Sequence, residues 1–183
     1  MKCKRWQPIY DFDELQEQIK NIIQNDYKED FYTTSLDIAS LFQGDIVVID
    51  KKFVYLNQDG KHQAEYFSEY YMIIGNSCDF DRSIKDLPYT NIIPLQRIEI
   101  DIPKDILNGL KKFQNYKHMY LPNFDNSNDE YFIDFTKIMT VSKEYLLNQN
   151  ISSIKIAELT FESWILLHAC IVRYFARDDG RHD

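Results

Sequence analysis

The chain has 183 residues, a net charge of -8, 44% hydrophobic residues and 15% aromatic residues. This composition excludes a disordered chain and predicts a single domain over residues 1–183. The acidic balance argues against a general nucleic-acid binder, which neutralises phosphates with basic side chains. Cys3, Cys78 and Cys170 are odd in number and widely spaced, so we expect no disulfide framework and a cytoplasmic location.

Neither a membrane span nor a secretory leader is expected. The N-terminal stretch MKCKRWQPIYDFDEL has no apolar region, and no apolar run reaches the roughly 20 residues of a membrane helix. Residues 1–43 are predicted to form a helical extension. Within it, DFDELQEQIKNIIQND has apolar residues at helical spacing, which predicts an amphipathic helix over about 12–25. We favour packing of this helix on its own domain over docking on a partner.

Residues 44–177 are predicted to form the main fold, which begins as a series of short strands. Strands are predicted in GDIVVID, EYFSEYYMIIGNS, TNIIPLQRIEIDI, KHMYLPN and YFIDFTKIMTVS, with bounds near 45–50, 67–75, 131–135 and 138–141 for four of them. Asp59-Gly60 is a tight-turn signal after the first strand. Pro94 cannot donate to a ladder, so it marks an edge, a bulge or a strand end. Ile98, Ile100 and Ile102 alternate with polar residues, which predicts that the third strand continues through them.

Two further helices are predicted, one between the strands and one after them. PKDILNGLKKF predicts a helix with Ile106, Leu110 and Phe113 on one face. TFESWILLHACIVRYFAR predicts a closing helix with Thr160 as N-cap, followed by a polar tail over 178–183. Because strands and helices do not alternate, a doubly wound sheet is not expected. The fold class is predicted to be mostly β with helices (α+β), a small curled β-barrel with N-terminal, middle and C-terminal helices.

The stretch YYMIIGNSCDFDR raises the main question about activity, because an apolar strand ends in a cysteine among acids. Cys78 is a candidate nucleophile with His62 or His118 as base. Asp79 or Asp81 could orient that base or position a water, and Arg82 could supply positive charge. The alternative is a buried cysteine at the end of a strand, in a bonded turn whose backbone groups Asp79 caps. We favour the turn. No spacing such as CxxC or HExxH is present, so neither a metal nor a cofactor is predicted.

The order of these elements resembles the PemK/MazF toxin superfamily over about residues 44–175. The stretches that carry the resemblance are GDIVVID, YMIIGNS, NIIPLQ, YFIDFTKIMTVSKEYL and the closing helix. The resemblance implies an SH3-like barrel, and members of that family are typically sequence-selective endoribonucleases that act as dimers. The SCDFD turn is also similar to that of a divergent bacterial subfamily with the same barrel order, in which a strand runs into Ser/Asp-Cys-Asp, often near mobile elements.

The positions that carry the family's chemistry differ in this chain. Glu69 or Tyr70 occupies the place of the catalytic arginine, and Gln96 and Arg97 follow the Pro-Leu pair where the catalytic threonine stands. An arginine stabilises the charge that develops on a phosphorane, whereas a glutamate would oppose it. The inherited ribonuclease mechanism is therefore not predicted residue by residue.

Two functions remain open from the sequence. The first is a binding or regulatory component of a bacterial toxin-antitoxin or phage-defence type system, with an antitoxin-like protein, a defence complex or a second copy as partner. The second is an active endoribonuclease or other hydrolase with a substituted site. The candidate catalytic residues are Cys78, Asp79, Arg82 and Arg97. The candidate residues for binding a nucleic acid or a partner are Asp45, Tyr70 and Gln96.

Overall fold

A computed structural model of the protein describes residues 31–125, 127 and 129–175, together with 14, 17 and 19–21. Most of the helix predicted over 12–25 lies outside the described residues, but its five described positions are helical, and Ile19 is buried in the main core. The polar tail at 178–183 lies outside them altogether. In the part of the chain that is described, no helix combines the length and the apolar content needed to cross a bilayer.

Seven strands of the described chain form an antiparallel sheet, and short helices lie between and after them. The strands are β1 (Ile46–Leu56), β2 (His62–Ile73), β3 (Tyr89–Arg97), β4 (His118–Leu121), β5 (Tyr131–Asp134), β6 (Met139–Ser142) and β7 (Lys155–Ala157). The helices are α1 (Ser77–Phe80), α2 (Lys104–Lys111), α3 (Lys143–Leu147), α4 (Ile151–Ile154) and α5 (Phe161–Phe175), with a 3-10 turn at Phe135–Lys137. The strand order is β4-β5-β3-β2-β1-β7, and β6 pairs with β3.

Pro94 lies in the middle of β3, where the pairing of that strand changes. Pro94 lies opposite Tyr71 at the end of the β2 pairing, and the next residue, Leu95, lies opposite Ile133 of β5. A proline removes one ladder donor, and here it stands between the part of β3 that pairs with β6 and the part that pairs with β5. The result is a mixed α+β fold with a curled, half-barrel antiparallel sheet, which confirms the predicted fold class at this level.

The sheet is buried on both faces at the start of β1 and the end of β2. Ile46 and Met72 point into the main core, which also contains apolar residues of α5. Val47 and Tyr71 point the other way into a smaller core with Leu146 of α3. Because alternate strand residues face opposite sides, two apolar faces produce the unbroken apolar runs IVVI and YYMII.

Several local predictions are confirmed. Gly60 has a positive φ of 72° and donates to the carbonyl of Asn57 at 2.9 Å, which closes the tight turn after β1. The hydroxyl of Thr160 accepts from the backbone N–H of Ser163 at 3.4 Å, as an N-cap does. The strand in KHMYLPN and the closing helix are also present.

Other boundaries were predicted wrongly. β1 continues to Leu56, past the predicted end at 50, and β2 begins at His62, before the predicted start at 67. The two strands pair over eleven positions in all, which include positions beyond the buried part of the sheet. The third strand ends at Arg97, and the isoleucines after it are not in a strand; Ile100 is 96% exposed. In α2, Leu110 is buried but Ile106 is exposed.

Candidate functional site

The SCDFD stretch forms α1, a short helical turn that is bonded into the fold. Gly75 precedes it, and a Cβ there would lie only 2.0 Å from the hydroxyl oxygen of Thr90, so the close approach to β3 requires glycine. The hydroxyl of Ser77 accepts from the backbone N–H of Gln43 at 2.9 Å. The side chain of Gln43 in turn donates to the carbonyl of Ile74 at 2.6 Å. These contacts support the interpretation of a bonded turn, but two parts of that prediction were wrong. Cys78 is exposed and not buried, and the Asp79 side chain contacts the Cys78 sulfur and Arg82 instead of capping backbone groups.

A buried lysine lies behind this turn. The side chain of Lys143 is closed to solvent, and its ammonium donates to the backbone carbonyls of Asp79 and Arg82, the latter at 2.9 Å. The backbone N–H of Lys143 donates to the carbonyl of Pro88 at 2.9 Å. Lys143 therefore ties α1 to α3. Its burial is not predictable from the sequence, because a lysine at the start of a short helix has no local sign of burial.

Three of the four candidate catalytic residues lie together in this turn. Cys78 is exposed, and its sulfur is 4.0 Å from a carboxylate oxygen of Asp79. The same oxygen is 3.9 Å from the guanidinium of Arg82. Neither candidate base, His62 nor His118, hydrogen-bonds the thiol; they lie on β2 and β4. A nucleophilic thiolate needs a base or a neighbouring cation, whereas the group that this sulfur contacts at 4.0 Å is an acid.

His118 has a different environment from the one predicted for a catalytic base. Its Nε2 is 4.0 Å from the carboxylate of Asp134, and its ring packs edge-on against Phe132 with the centroids 5.2 Å apart. Burial lowers the pKa of His118, although Asp134 opposes that shift. The imidazole is therefore neutral at pH 7 and is part of the outer face of the β4-β5 pair.

Arg97 and Gln96 lie at the end of β3, whereas α1 packs near its beginning. The guanidinium of Arg97 forms an ion pair with Asp129 at 2.8 Å. The side-chain oxygen of Gln96 accepts from Lys137 at 3.0 Å, and its amide nitrogen is buried with no partner among the described residues. Arg97, the fourth candidate catalytic residue, is thus separated from Cys78 by the length of the strand.

Glu69 and Tyr70, the two residues predicted to stand in place of the family's arginine, also form local contacts. A carboxylate oxygen of Glu69 accepts from Lys51 and from the Tyr71 hydroxyl, each at 2.5 Å, and these hydrogen bonds lower the pKa of Glu69. Tyr70 packs edge-on against Phe124 at 5.2 Å between ring centroids. Burial and the charge of a neighbouring acid raise the pKa of the Tyr70 phenol. Its ring is half-buried in an aromatic cluster.

Asp45 lies inside the protein and not on a groove. Its carboxylate is closed to solvent, 2.9 Å from the ammonium of Lys155, and it accepts from the backbone N–H of Phe42 at 2.7 Å. Lys155 also lies 2.7 Å from Glu158 and donates to the carbonyl of Asp37 at 2.9 Å. Burial raises the pKa of Asp45 to about 6, even though Lys155 lowers it. The other Asp45 oxygen has no hydrogen-bond partner within the described chain.

A groove of about 320 Å³ lies along β1, beside α3 and α4. Its lining residues are Val48, Ile49, Asp50, Tyr145, Leu146, Gln149, Asn150, Ser153 and Ile154. None of them was singled out from the sequence. The walls come from two segments that are far apart in the chain, and no local motif indicates that they meet.

The described residues contain no group of three or more histidine, cysteine or acidic side chains placed to hold a metal ion. Comparison of the chain with known protein families, with curated proteins and with solved structures gave no match. The described residues therefore form a hydrogen-bonded turn with an exposed thiol, several charged side chains held in ion pairs, and a groove beside β1.

Proposed function

We propose that this chain is a binding or regulatory component of a bacterial toxin-antitoxin or phage-defence type system, located in the cytoplasm. In this proposal its scaffold is a divergent SH3-like barrel of the PemK/MazF type that has no ribonuclease activity. The order of strands and helices along the chain and the curl of the antiparallel sheet support the barrel part of the proposal.

The non-catalytic part rests on one observation: the candidate catalytic side chains do not converge. Cys78, Asp79 and Arg82 lie in a turn without a base, and Arg97 is held by Asp129 at the far end of β3. Acid-base or nucleophilic catalysis needs its groups within hydrogen-bond reach of one reacting centre. Of the two residues that could occupy the place of the family's arginine, Glu69 is an acid and Tyr70 is a phenol, so neither supplies the positive charge that a phosphorane needs.

The experiment is an RNA cleavage assay with purified protein and single-stranded RNA of mixed sequence. We expect no cleavage above a buffer control, and no loss of bacterial growth when the chain is expressed. Cleavage at a defined sequence that is abolished by Arg97→Ala would overturn the proposal, provided that the variant unfolds at the same urea concentration as the wild type.

A hydrolase centred on Cys78 is the second candidate, and the exposure of that thiol beside Asp79 and Arg82 favours it. Alkylation with iodoacetamide distinguishes the two. A hydrolase of this kind would lose its activity on ester or RNA substrates after Cys78 is alkylated, and also in Cys78→Ser. If neither treatment changes any measured property except thiol content, Cys78 is a surface residue of the turn.

A further inference from the structure

Residues 33–42, which we call the strap, contact β7 and the residues after it but form neither a helix nor a strand. Most of the strap is exposed, including all of 37–40, whereas Leu41 is buried in the smaller core. Exposed segments with few backbone hydrogen bonds open at a lower free energy than the strands of a core. The strap can therefore open while the sheet stays folded.

Two charged side chains hold the strap. The ammonium of Lys155 donates to the carbonyl of Asp37 at 2.9 Å and to that of Ser40 at 3.3 Å. The carboxylate of Glu158 accepts from the backbone N–H of Asp37 at 3.1 Å. The backbone carbonyl of Glu158 accepts from the N–H of Thr33 at 2.9 Å. Closure of the strap therefore depends on the position and charge of Lys155 and Glu158.

The same ammonium also lies between two carboxylates. Lys155 is 2.9 Å from Asp45 and 2.7 Å from Glu158, and the side chains of Lys155 and Asp45 are closed to solvent. An ammonium has three N–H donors. Here the two carboxylates and the two strap carbonyls compete for them. When Asp45 is ionised, two negative charges share one positive charge, and one Asp45 oxygen is buried with no partner among the described residues.

Few charged groups act on Asp45. They are Lys155 of β7 and Glu158 behind it. The strap contributes a neutral donor, the backbone N–H of Phe42, at 2.7 Å from the Asp45 carboxylate. The carboxylate of the strap itself, that of Asp37, accepts a hydrogen bond from within the strap. Burial raises the pKa of the Asp45 carboxyl to about 6, so this group changes its charge in mildly acidic solution.

We propose that the strap is pH-responsive: it is held on β7 while Asp45 is protonated, and it opens locally when Asp45 is ionised. With Asp45 neutral, one ammonium balances one carboxylate, and its remaining N–H groups are left for the strap carbonyls. With Asp45 ionised, a second carboxylate competes with those carbonyls. Opening of the strap then lets water reach the buried charge, which relieves the cost of its burial.

The direction of the pH dependence follows from proton binding in the two states. The Asp45 carboxyl has a pKa of about 6 when the strap is closed, and its ordinary value of 3.8 applies once water reaches it. The closed state therefore binds the proton more tightly. Closure is strongest below about pH 4, weakens as the pH rises to about 6, and changes little above that. From pH 4 to pH 7 the equilibrium constant for opening should rise roughly 50- to 100-fold.

Amide hydrogen exchange of the full chain, followed by NMR, tests this inference, with each rate corrected for the exchange of an unstructured peptide at the same pH. Thr33 and Asp37 report on the strap, because their amides bond Glu158 and not Asp45. The amide of Ile74 bonds the carbonyl of a β3 residue at 2.8 Å and reports on the sheet. We expect the strap amides to be less protected than Ile74 and to depend little on urea. Their protection should fall roughly 50- to 100-fold from pH 4 to pH 7.

Asp45→Asn keeps the shape of the side chain and removes its charge. At pH 7 this variant should protect Thr33 and Asp37 as strongly as the wild type does at pH 4, with no further change between the two pH values. The matched control is Asp59→Asn, which removes a carboxylate from the exposed turn after β1 and should keep the wild-type pH dependence. A carbon-13 NMR titration of the Asp45 carboxyl in the wild type needs no variant. Its midpoint should coincide with the pH at which strap protection stops changing.

Four results would overturn the inference. The strap amides could keep their pH dependence in Asp45→Asn, or their protection could rise with pH. They could match Ile74 in protection and urea dependence, which would mean that the strap opens only when the whole protein unfolds. The Asp45 carboxyl could titrate at its ordinary pKa of 3.8. The inference goes beyond the proposed function, and these measurements involve neither RNA nor a partner, so the two fail independently.

Discussion

The ammonium of Lys155 lies 2.9 Å from the carboxylate of Asp45, and both side chains are closed to solvent. The same ammonium contacts Glu158 and donates to the backbone carbonyls of Asp37 and Ser40. One buried cation therefore joins the segment before β1 to β7 and to the residues after it. The position of β7 beside the start of β1 therefore depends on this contact.

Replacing Lys155 should destabilise the protein strongly. Lys155→Met leaves Asp45 and Glu158 without their cation, and breaking a buried ion pair in this way costs about 3–5 kcal/mol. The matched control is Lys51→Met, which removes the lysine of the partly exposed pair with Glu69 and should cost less than about 1 kcal/mol. Urea unfolding at pH 7 measures both. Equal losses would contradict a special role for the buried pair.

The pKa of Asp45 predicts a specific dependence of stability on pH. Its carboxyl has a pKa of about 6 in the folded protein against 3.8 for an unperturbed group, so the folded state binds the proton more tightly than the unfolded state. The stability from this group is therefore complete below about pH 4 and is lost as the pH rises through about 6. The shift of roughly two pKa units corresponds to about 3 kcal/mol.

Asp45→Asn removes this titration. We expect the free energy of unfolding of the wild type, relative to that of the variant, to fall by about 3 kcal/mol between pH 4 and pH 7. Urea titrations of both proteins across this range measure the difference. A difference that does not change with pH would show that Asp45 titrates normally in the folded state.

The two glycines with positive φ should respond differently to alanine. Gly44 has a φ of 94°, and a Cβ there would lie 2.7 Å from a methyl carbon of Leu159. Gly60 has a φ of 72° and no atom within 4 Å of such a Cβ. Gly60→Ala should cost about 1 kcal/mol for the backbone alone, and Gly44→Ala should cost about 1–3 kcal/mol more because Leu159 must move. Thermal or urea unfolding of the two variants tests this order, and the reverse order would contradict the packing at Gly44.

Lys143 should control the rigidity of the SCDFD turn. Lys143→Met leaves the carbonyls of Asp79 and Arg82 without their donor, which costs about 1–3 kcal/mol for buried polar groups. We expect faster amide exchange at Cys78 and its neighbours in the turn. The control is Lys85→Met, which changes an exposed lysine on the following loop and should leave exchange in the turn unchanged. Similar exchange in both variants would show that Lys143 does not hold the turn.

The sequence predicts the fold best where local pattern and burial coincide. The closing helix and β4 were predicted correctly, because apolar spacing and the N-cap at Thr160 are local signals of the structure that forms. The length of the β1–β2 hairpin was underestimated, although its turn was predicted, because cross-strand pairing, and not burial, holds its outer part. The third strand was wrongly extended through Ile100, because an exposed isoleucine continues the same alternating pattern as a buried one.

The candidate site was predicted less well, because the type of a residue does not by itself show whether its polar side chain is buried. Lys143, Lys155 and Arg173 all have the appearance of surface charges, yet each is buried and bonds backbone carbonyls. The groups that bury them come from distant segments; Arg173 donates at 2.7 Å to the carbonyl of Phe113, 60 residues earlier. Such contacts are visible only when the chain is folded.

The contact between Lys155 and Asp37 also joins residues 118 positions apart in the chain. During synthesis the N-terminal part leaves the ribosome first, at about 5–20 residues per second. Asp45 and the first two strands are therefore present for several seconds before their buried cation and the closing helix emerge. The sheet cannot be completed until β7 has been synthesised. During that interval the apolar strands of the nascent protein must be kept from associating with other chains.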